Sequence, residues 1–105
     1  MSTALKREEL HHVWEKIRSG KIAEDGDKTL ASEANIDQKT AKACLGVMAK
    51  VAKNGNFEDF VSFVETKEIP ALKLSSAEME ALKGGSFPSP WSIVKLVIKG
   101  VTIFI

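Results

Sequence analysis

Residues 37–53, DQKTAKACLGVMAKVAK, decide the fold of this 105-residue chain. Asp37 is a favourable N-cap, and small and aliphatic side chains then recur every three or four residues. A helix with this spacing carries one continuous apolar stripe, which it buries against its neighbours. The stripe consists of Ala41, Cys44, Leu45, Met48, Val51 and Ala52. The segment therefore predicts a central helix, and the only cysteine, Cys44, is predicted to be a buried structural thiol.

Further elements are predicted before the central helix. Residues 3–18 have helical apolar spacing after Thr3, which is a suitable N-cap. Residues 24–28, EDGDK, are predicted to be a loop, and residues 29–34 a short helix. Asn35 tolerates the left-handed conformation that the following turn needs.

The segment after the central helix leaves two structures open. Residues 57–64, FEDFVSFV, have helical apolar spacing, but their aromatic and β-branched content also suits a strand. We favour a helix capped by Asn56, because Glu58 and Asp59 then lie in its first turn. With this assignment the sequence predicts an all-α protein, a small helical bundle with an extended or helical C-terminal tail.

The charges divide the chain into two unequal parts. All 14 acidic residues precede Gly85, whereas only Lys95 and Lys99 of the 15 lysines and arginines follow it. The last 20 residues thus carry two positive charges and no negative one. Such asymmetry indicates different roles, so we predict a helical domain over residues 1–85 and a separate peptide over residues 86–105.

The junction between the two parts has a recognisable pattern. Residues 74–85, LSSAEMEALKGG, predict a short amphipathic helix that Ser75 or Ser76 caps and that two glycines end. The pattern resembles the double-glycine leader ending of bacteriocins and other ribosomally synthesised, modified peptides. Its recognition positions correspond to Leu74, Ser75, Glu78, Met79 and Leu82, with Met79 in place of the usual Leu. A plain helix C-cap and linker would also account for Gly84 and Gly85.

The resemblance implies a processing reaction and a partner. Cleavage would follow Gly85, and the enzyme would be the papain-like cysteine peptidase domain of an ABC exporter. Physically, the apolar positions of the helix can dock in a groove, and glycines without side chains can thread a narrow cleft. We therefore expect a cytoplasmic precursor and a secreted C-terminal peptide. We also expect residues 1–85 to keep their helical fold without the tail.

The predicted core peptide, residues 86–105, begins at Ser86 and ends at Ile105. As a helix, its polar side chains form one narrow stripe, and the remaining residues from Trp91 onward are almost all apolar. The stripe consists of Ser92, Lys95, Lys99 and Thr102. Fifteen helical residues span only about 22 Å, less than a hydrocarbon core of about 30 Å. The tail therefore suits a membrane-active peptide, but a strand and a packed part of the domain core stay open.

The tail also resembles a modified peptide in composition. Its Val/Ile-rich run after Phe-Pro-x-Pro-Trp is similar to borosin cores, whose backbone amides a methyltransferase methylates. This resemblance implies a modifying enzyme as a further partner. Lanthionine rings within the tail are excluded because it has no cysteine.

Residues 28–70 suggest a DNA-binding alternative. LASEANIDQKTAKACLGVMAKVAKNG resembles the helical hairpin of the histone-like HU family, and Phe60-Val61-Ser62-Phe63 resembles its Phe-Gly-Thr-Phe strand. DNA binding requires an excess of cations, and the lysines here are nearly matched by acidic residues. We expect no nucleic-acid partner.

The remaining candidates are an enzyme and a small interaction or adaptor protein. His11 and Glu15, or Glu8 and His12, share a helix face, but two helical ligands are too few for a metal site. No nucleophile triad or phosphate-binding loop is present in the sequence. We therefore expect no catalytic residues, no metal and no cofactor. An adaptor protein would need residues 91–105 for its stability.

Overall fold

The computed structural model of the chain describes residues 7–19, 21–66, 73–83 and 89–105. In these ranges the chain forms helices joined by short connections. They are α1 (Arg7–Ser19), α2 (Gly26–Ala34), α3 (Gln38–Asn54), α4 (Phe57–Thr66), α5 (Ser76–Lys83) and α6 (Pro90–Ile98). The predicted all-α class is confirmed.

Helix α3 lies at the centre of the fold. Asp37 caps it as predicted, and its Oδ1 accepts a hydrogen bond of 2.6 Å from the Thr40 N–H. Every residue of the predicted apolar stripe is fully buried, including the thiol of Cys44. Helices α1, α2, α4 and α5 pack around α3, and this arrangement explains why the stripe is wide.

The turns on either side of α3 confirm two local predictions. Asn35 has a φ of 56°, and its N–H donates to the carbonyl of Ala31, which closes α2. At the other end, the Asn56 side chain accepts from the Asp59 N–H, and the Asp59 carboxylate accepts from the Asn56 N–H. This reciprocal cap starts α4, so the ambiguous segment is a helix and not a strand.

Helix α2 begins earlier than predicted. It starts at Gly26, so the predicted loop over residues 24–28 is too long. The carbonyl of Asp25 already accepts the helical hydrogen bond from the Thr29 N–H at 3.0 Å. Gly26 is buried against the C-terminal segment, where an added Cβ would lie 2.8 Å from the carbonyl oxygen of Ile103. The sequence pattern of α2 alone cannot reveal this distant contact.

The tail contains a helix followed by an extended segment. Ser89 caps α6 by accepting from the Trp91 N–H, with Pro90 in the first turn. After Lys99, the chain turns at Gly100, whose φ of 90° favours glycine. The last residues then pair antiparallel with residues 21–23 through the hydrogen bonds Lys21 N–H to Ile105 O (3.1 Å), Ala23 N–H to Ile103 O (2.9 Å) and Ile105 N–H to Lys21 O (2.8 Å).

The tail and the helices share one hydrophobic core. Helix α6 packs against α1 and α4, and the buried tail residues belong to the same cluster as the stripe of α3. At most 2% of each of Ile93, Val94, Ile103 and Phe104 is exposed. The predicted boundary at Gly85 lies outside the described residues and stays a prediction. The expectation that residues 1–85 keep their helical fold without the tail also stays a prediction, but the tail fills part of the common core, which instead favours a loss of stability on its removal.

Candidate functional site

Helix α5 carries three recognition positions of the predicted leader motif, Glu78, Met79 and Leu82, and its start is fixed locally. The Ser75 N–H donates to Glu78 Oε1 at 2.9 Å, and the Glu78 N–H donates to Ser75 Oγ at 3.2 Å. These two bonds form a capping box, which identifies Ser75 rather than Ser76 as the cap. The spacing of Ser75 and Glu78 in the motif therefore has a structural role within this chain.

Glu78 is buried at the contact between α5 and α3. Only 11% of its side chain is exposed, and its Oε1 lies 2.6 Å from Lys50 Nζ. Burial raises the pKa of Glu78, but the hydrogen bonds from Lys50 and Ser75 outweigh it and place the pKa below its ordinary value. Glu78 is therefore an ionised group that anchors α5 to α3.

The three predicted apolar anchors differ in exposure. Leu74 and Leu82 are half-buried against the core, whereas 42% of Met79 is exposed. Met79 borders a shallow cleft whose other sides are Ser76, Glu80 and Lys83. The anchors thus do not form one open apolar face, and Met79 is the most exposed of the three.

The predicted cleavage residues Gly84 and Gly85 lie outside the described residues, as does Ser86 at the start of the core peptide. The described chain on their N-terminal side ends with α5 at Lys83, and it resumes at Ser89, the cap of α6. Among the described helices, α5 makes its extensive contacts with α3, whereas α6 packs on α1 and α4. Helix α5 and the tail helix α6 therefore pack mainly against different helices.

The polar residues of the predicted core peptide face the solvent. Ser92, Lys95, Lys99 and Thr102 are all exposed, as the predicted stripe requires. Trp91 is half-buried, and Ile105 is 68% exposed at the end of the extended segment. None of the helices in the described ranges is both long and apolar enough to cross a membrane.

The histidines of α1 have a structural explanation. The His11 ring packs edge-on against Trp14 and Phe57, with centroid distances of 5.3 and 4.7 Å. Its Nδ1 lies 3.7 Å from a carboxylate oxygen of Glu15, so the pair is a weak surface contact. Among the described residues, no three His, Cys, Asp or Glu side chains are grouped so that they could hold a metal ion.

The residues that implied a histone-like strand are helical. Phe60-Val61-Ser62-Phe63 lies inside α4, and Phe60 and Phe63 are fully buried. The strand that this resemblance implied is therefore wrong for these residues.

The sequence pattern did not identify two residues of the site. Lys50 and Gly46, both on α3, receive the Glu78 side chain, and an added Cβ at Gly46 would overlap its carboxylate. A glycine inside an otherwise regular apolar stripe is a signal of close approach, but it does not identify the partner. The pairing partner of Lys50 is 28 residues away and has no local signature.

The chain matches no family model, no curated protein sequence and no solved structure.

Proposed function

We propose that this chain is the precursor of a ribosomally synthesised peptide, cleaved after Gly85 to release residues 86–105. One observation carries the proposal. The helix that carries Glu78, Met79 and Leu82 of the leader pattern ends at Lys83, and in the sequence Lys83 directly precedes the double glycine and the change to an acid-free, apolar tail. The partner is the cysteine peptidase domain of an exporter, which attacks the Gly85 carbonyl and transfers the acyl group to water.

The precursor stores its product in a folded form. Most apolar side chains of the tail face the core, with Ile98 and Ile105 as exposed exceptions, while Lys95 and Lys99 face the solvent. Four fully buried aliphatic or aromatic side chains contribute about 6–12 kcal/mol of burial. Cleavage alone therefore leaves the peptide bound, and release requires unfolding during export. The same separation of apolar residues from lysines suits a membrane interface once the peptide is free.

A modifying enzyme is a further proposed partner. The amides of residues 93–98 lie inside α6, where helical hydrogen bonds occupy them. A borosin-type methyltransferase would therefore have to act on an unfolded tail, because a methylated amide cannot donate the bond that α6 needs. The leader helices would then serve as the docking surface while the tail is open.

A second candidate is a single-domain interaction protein whose tail is purely structural. The observation that favours it is the burial of Ile93, Val94, Ile103 and Phe104 in the common core. Truncation at Gly85 does not separate the two candidates, because both now predict a loss of stability. Site-specific cleavage does separate them, since only a precursor needs it.

The test of the proposal is cleavage of the full chain by a purified papain-like peptidase domain from a double-glycine exporter. We expect mass spectrometry to detect one new fragment, residues 86–105, because the recognition positions directly precede the double glycine in the sequence. Replacing Gly84 with Val should abolish the reaction, since a β-branched side chain blocks a narrow cleft.

Two matched variants control for recognition by α5. Met79→Gln and Ile98→Gln each remove an exposed apolar side chain, 42% and 37% exposed, from α5 and α6 respectively. We expect Met79→Gln to slow cleavage about tenfold, as loss of an apolar anchor does, and Ile98→Gln to have no effect. Absence of the fragment, or equal rates for the two variants, would contradict the proposal.

A further inference from the structure

The α5–α3 contact has an unusual composition for a helix pair in a small domain. The centre of the contact is a carboxylate, Glu78, and the only fully apolar buried residue of α5 is Ala81. Lys50 Nζ lies 2.6 Å from Glu78 Oε1, and the Ser75 N–H donates to the same oxygen. Leu82 adds a half-buried side chain, so the contact combines a modest apolar area with one charge-assisted pair at its centre.

Gly46 shapes the surface that receives the carboxylate. A Cβ added at Gly46 would overlap Oε2 of Glu78 and would also meet Cδ and Cγ, so the side chain passes close to the backbone of α3. A larger residue at position 46 would force the carboxylate to shift from its place beside Lys50. Since Gly46 weakens the interior of α3 relative to alanine, the close approach explains why glycine suits this position.

The docked position of α5 conflicts with recognition by a peptidase. Glu78 belongs to the proposed recognition pattern, yet it is buried, and Leu82 is half-buried beside it. A groove that reads these side chains can bind them only after α5 has left α3. Met79 is already exposed in the docked state and can make the first contact.

We propose that the contact of Glu78 with Lys50 and Gly46 is an autoinhibitory latch, which hides the recognition helix until α5 undocks from α3. This inference rests on the proposed function and concerns the regulation of the same site. Undocking is local, because the tail is anchored on α1 and α4 rather than on α5. The latch delays cleavage of the folded chain, while the stored tail stays in place.

The test uses two variants of the full chain that open the latch by different means. Lys50→Met keeps an unbranched side chain, one atom shorter, but removes its charge, and Gly46→Ala forces the carboxylate to move while raising the helix propensity of α3. Loss of a buried charged hydrogen bond should speed amide hydrogen exchange in residues 76–83 about tenfold. Exchange in residues 41–52 and 93–97 should stay unchanged.

Two controls isolate the contact. Lys53→Met removes an exposed lysine one turn further along α3 and should leave exchange in α5 as it is. In a Glu78→Ala background, Gly46→Ala should have no further effect on amide exchange in residues 76–83, because the carboxylate that it would displace is absent. Cleavage by the exporter peptidase domain should accelerate in the same order as exchange in α5.

The outcomes distinguish the latch from the proposed function. Unchanged exchange in residues 76–83 would overturn the latch regardless of the cleavage result, and so would an equal increase in residues 93–97. Faster exchange with unchanged cleavage would overturn autoinhibition but leave the precursor proposal standing. If neither the original chain nor any variant is cleaved, the proposed function fails and this inference fails with it.

Discussion

Helix α5 and the C-terminal tail are attached to the rest of the molecule in opposite ways. Helix α5 adds the buried Ala81 and the half-buried Leu82 to the core and is fixed by the Lys50–Glu78 pair. The tail adds five buried apolar side chains and pairs its backbone with residues 21–23. The segment proposed for recognition is thus held by less apolar burial than the proposed product. We therefore expect undocking of α5 to cost less free energy than release of the tail.

Removal of the tail should have the largest effect on stability. A chain that ends at Gly85 exposes the surfaces that Ile93, Val94, Ile103 and Phe104 cover, a loss of about 6–12 kcal/mol of burial. This is comparable to the whole stability of a small domain, about 5–15 kcal/mol. We expect circular dichroism and urea unfolding to show a poorly folded chain.

The control is the full chain after cleavage at Gly85, with both fragments retained. If the packing described here is correct, the nicked complex keeps most of its helical signal and its fragments co-elute on a sizing column. A truncated chain as stable as the intact one would contradict the shared core.

Two adjacent tail residues offer a sharper comparison. Phe104 is 2% exposed and Ile105 is 68% exposed, although both lie in the same extended segment. Phe104→Ala should cost about 3–5 kcal/mol in unfolding free energy, because it leaves a cavity in the core. Ile105→Ala should change stability by less than about 0.5 kcal/mol, since its backbone hydrogen bonds do not depend on the side chain. Similar costs from urea unfolding of the two variants would disprove the burial pattern.

The smallest expected effect is a pH dependence of the stability with which α5 docks on α3. The pKa of Glu78 in the folded chain lies below its ordinary value of 4.5, because the hydrogen bonds from Lys50 and Ser75 outweigh the effect of burial. The stabilisation is fully present above the unfolded pKa and is lost as the pH falls through the lower folded pKa.

Amide exchange in residues 76–83, corrected for intrinsic rates, should therefore rise relative to the rest of the chain as the pH falls below 4.5. The Glu78→Gln variant lacks the titrating group, so the exchange rate of residues 76–83 relative to the rest of the chain should not change with pH over the same range. A pH-dependent relative rate in the variant, or a pH-independent one in the original chain, would show that groups other than Glu78 hold α5 in place.

The elements that the sequence predicted well are those that short-range interactions determine. The cap at Asp37, the left-handed Asn35, the Asn56 cap of α4 and the serine cap of α5 each involve residues three or four positions apart. Their residue types alone limit the backbone conformation. This is why the helix class and most helix ends follow from the pattern.

The features that the sequence did not reveal depend on contacts between distant segments. The early start of α2 needs Gly26 against Ile103, and the α5 anchor needs Lys50 against Glu78. The tail sequence suited both a helix and a strand, and the structure has a helix up to Ile98 and an extended segment after Gly100. A single sequence contains no local signal for these pairings, so the candidate site was predicted as positions on one helix without its anchor on α3.

Storage of a cleavable peptide is best tested by the mass of the material that producing cells release into their medium. We expect a peptide that corresponds to residues 86–105, with or without added groups, and its absence when Gly84 is replaced by Val. Finding only the intact chain inside the cells, with no fragment that begins at Ser86 outside them, would contradict the claim that this folded chain stores a product for export.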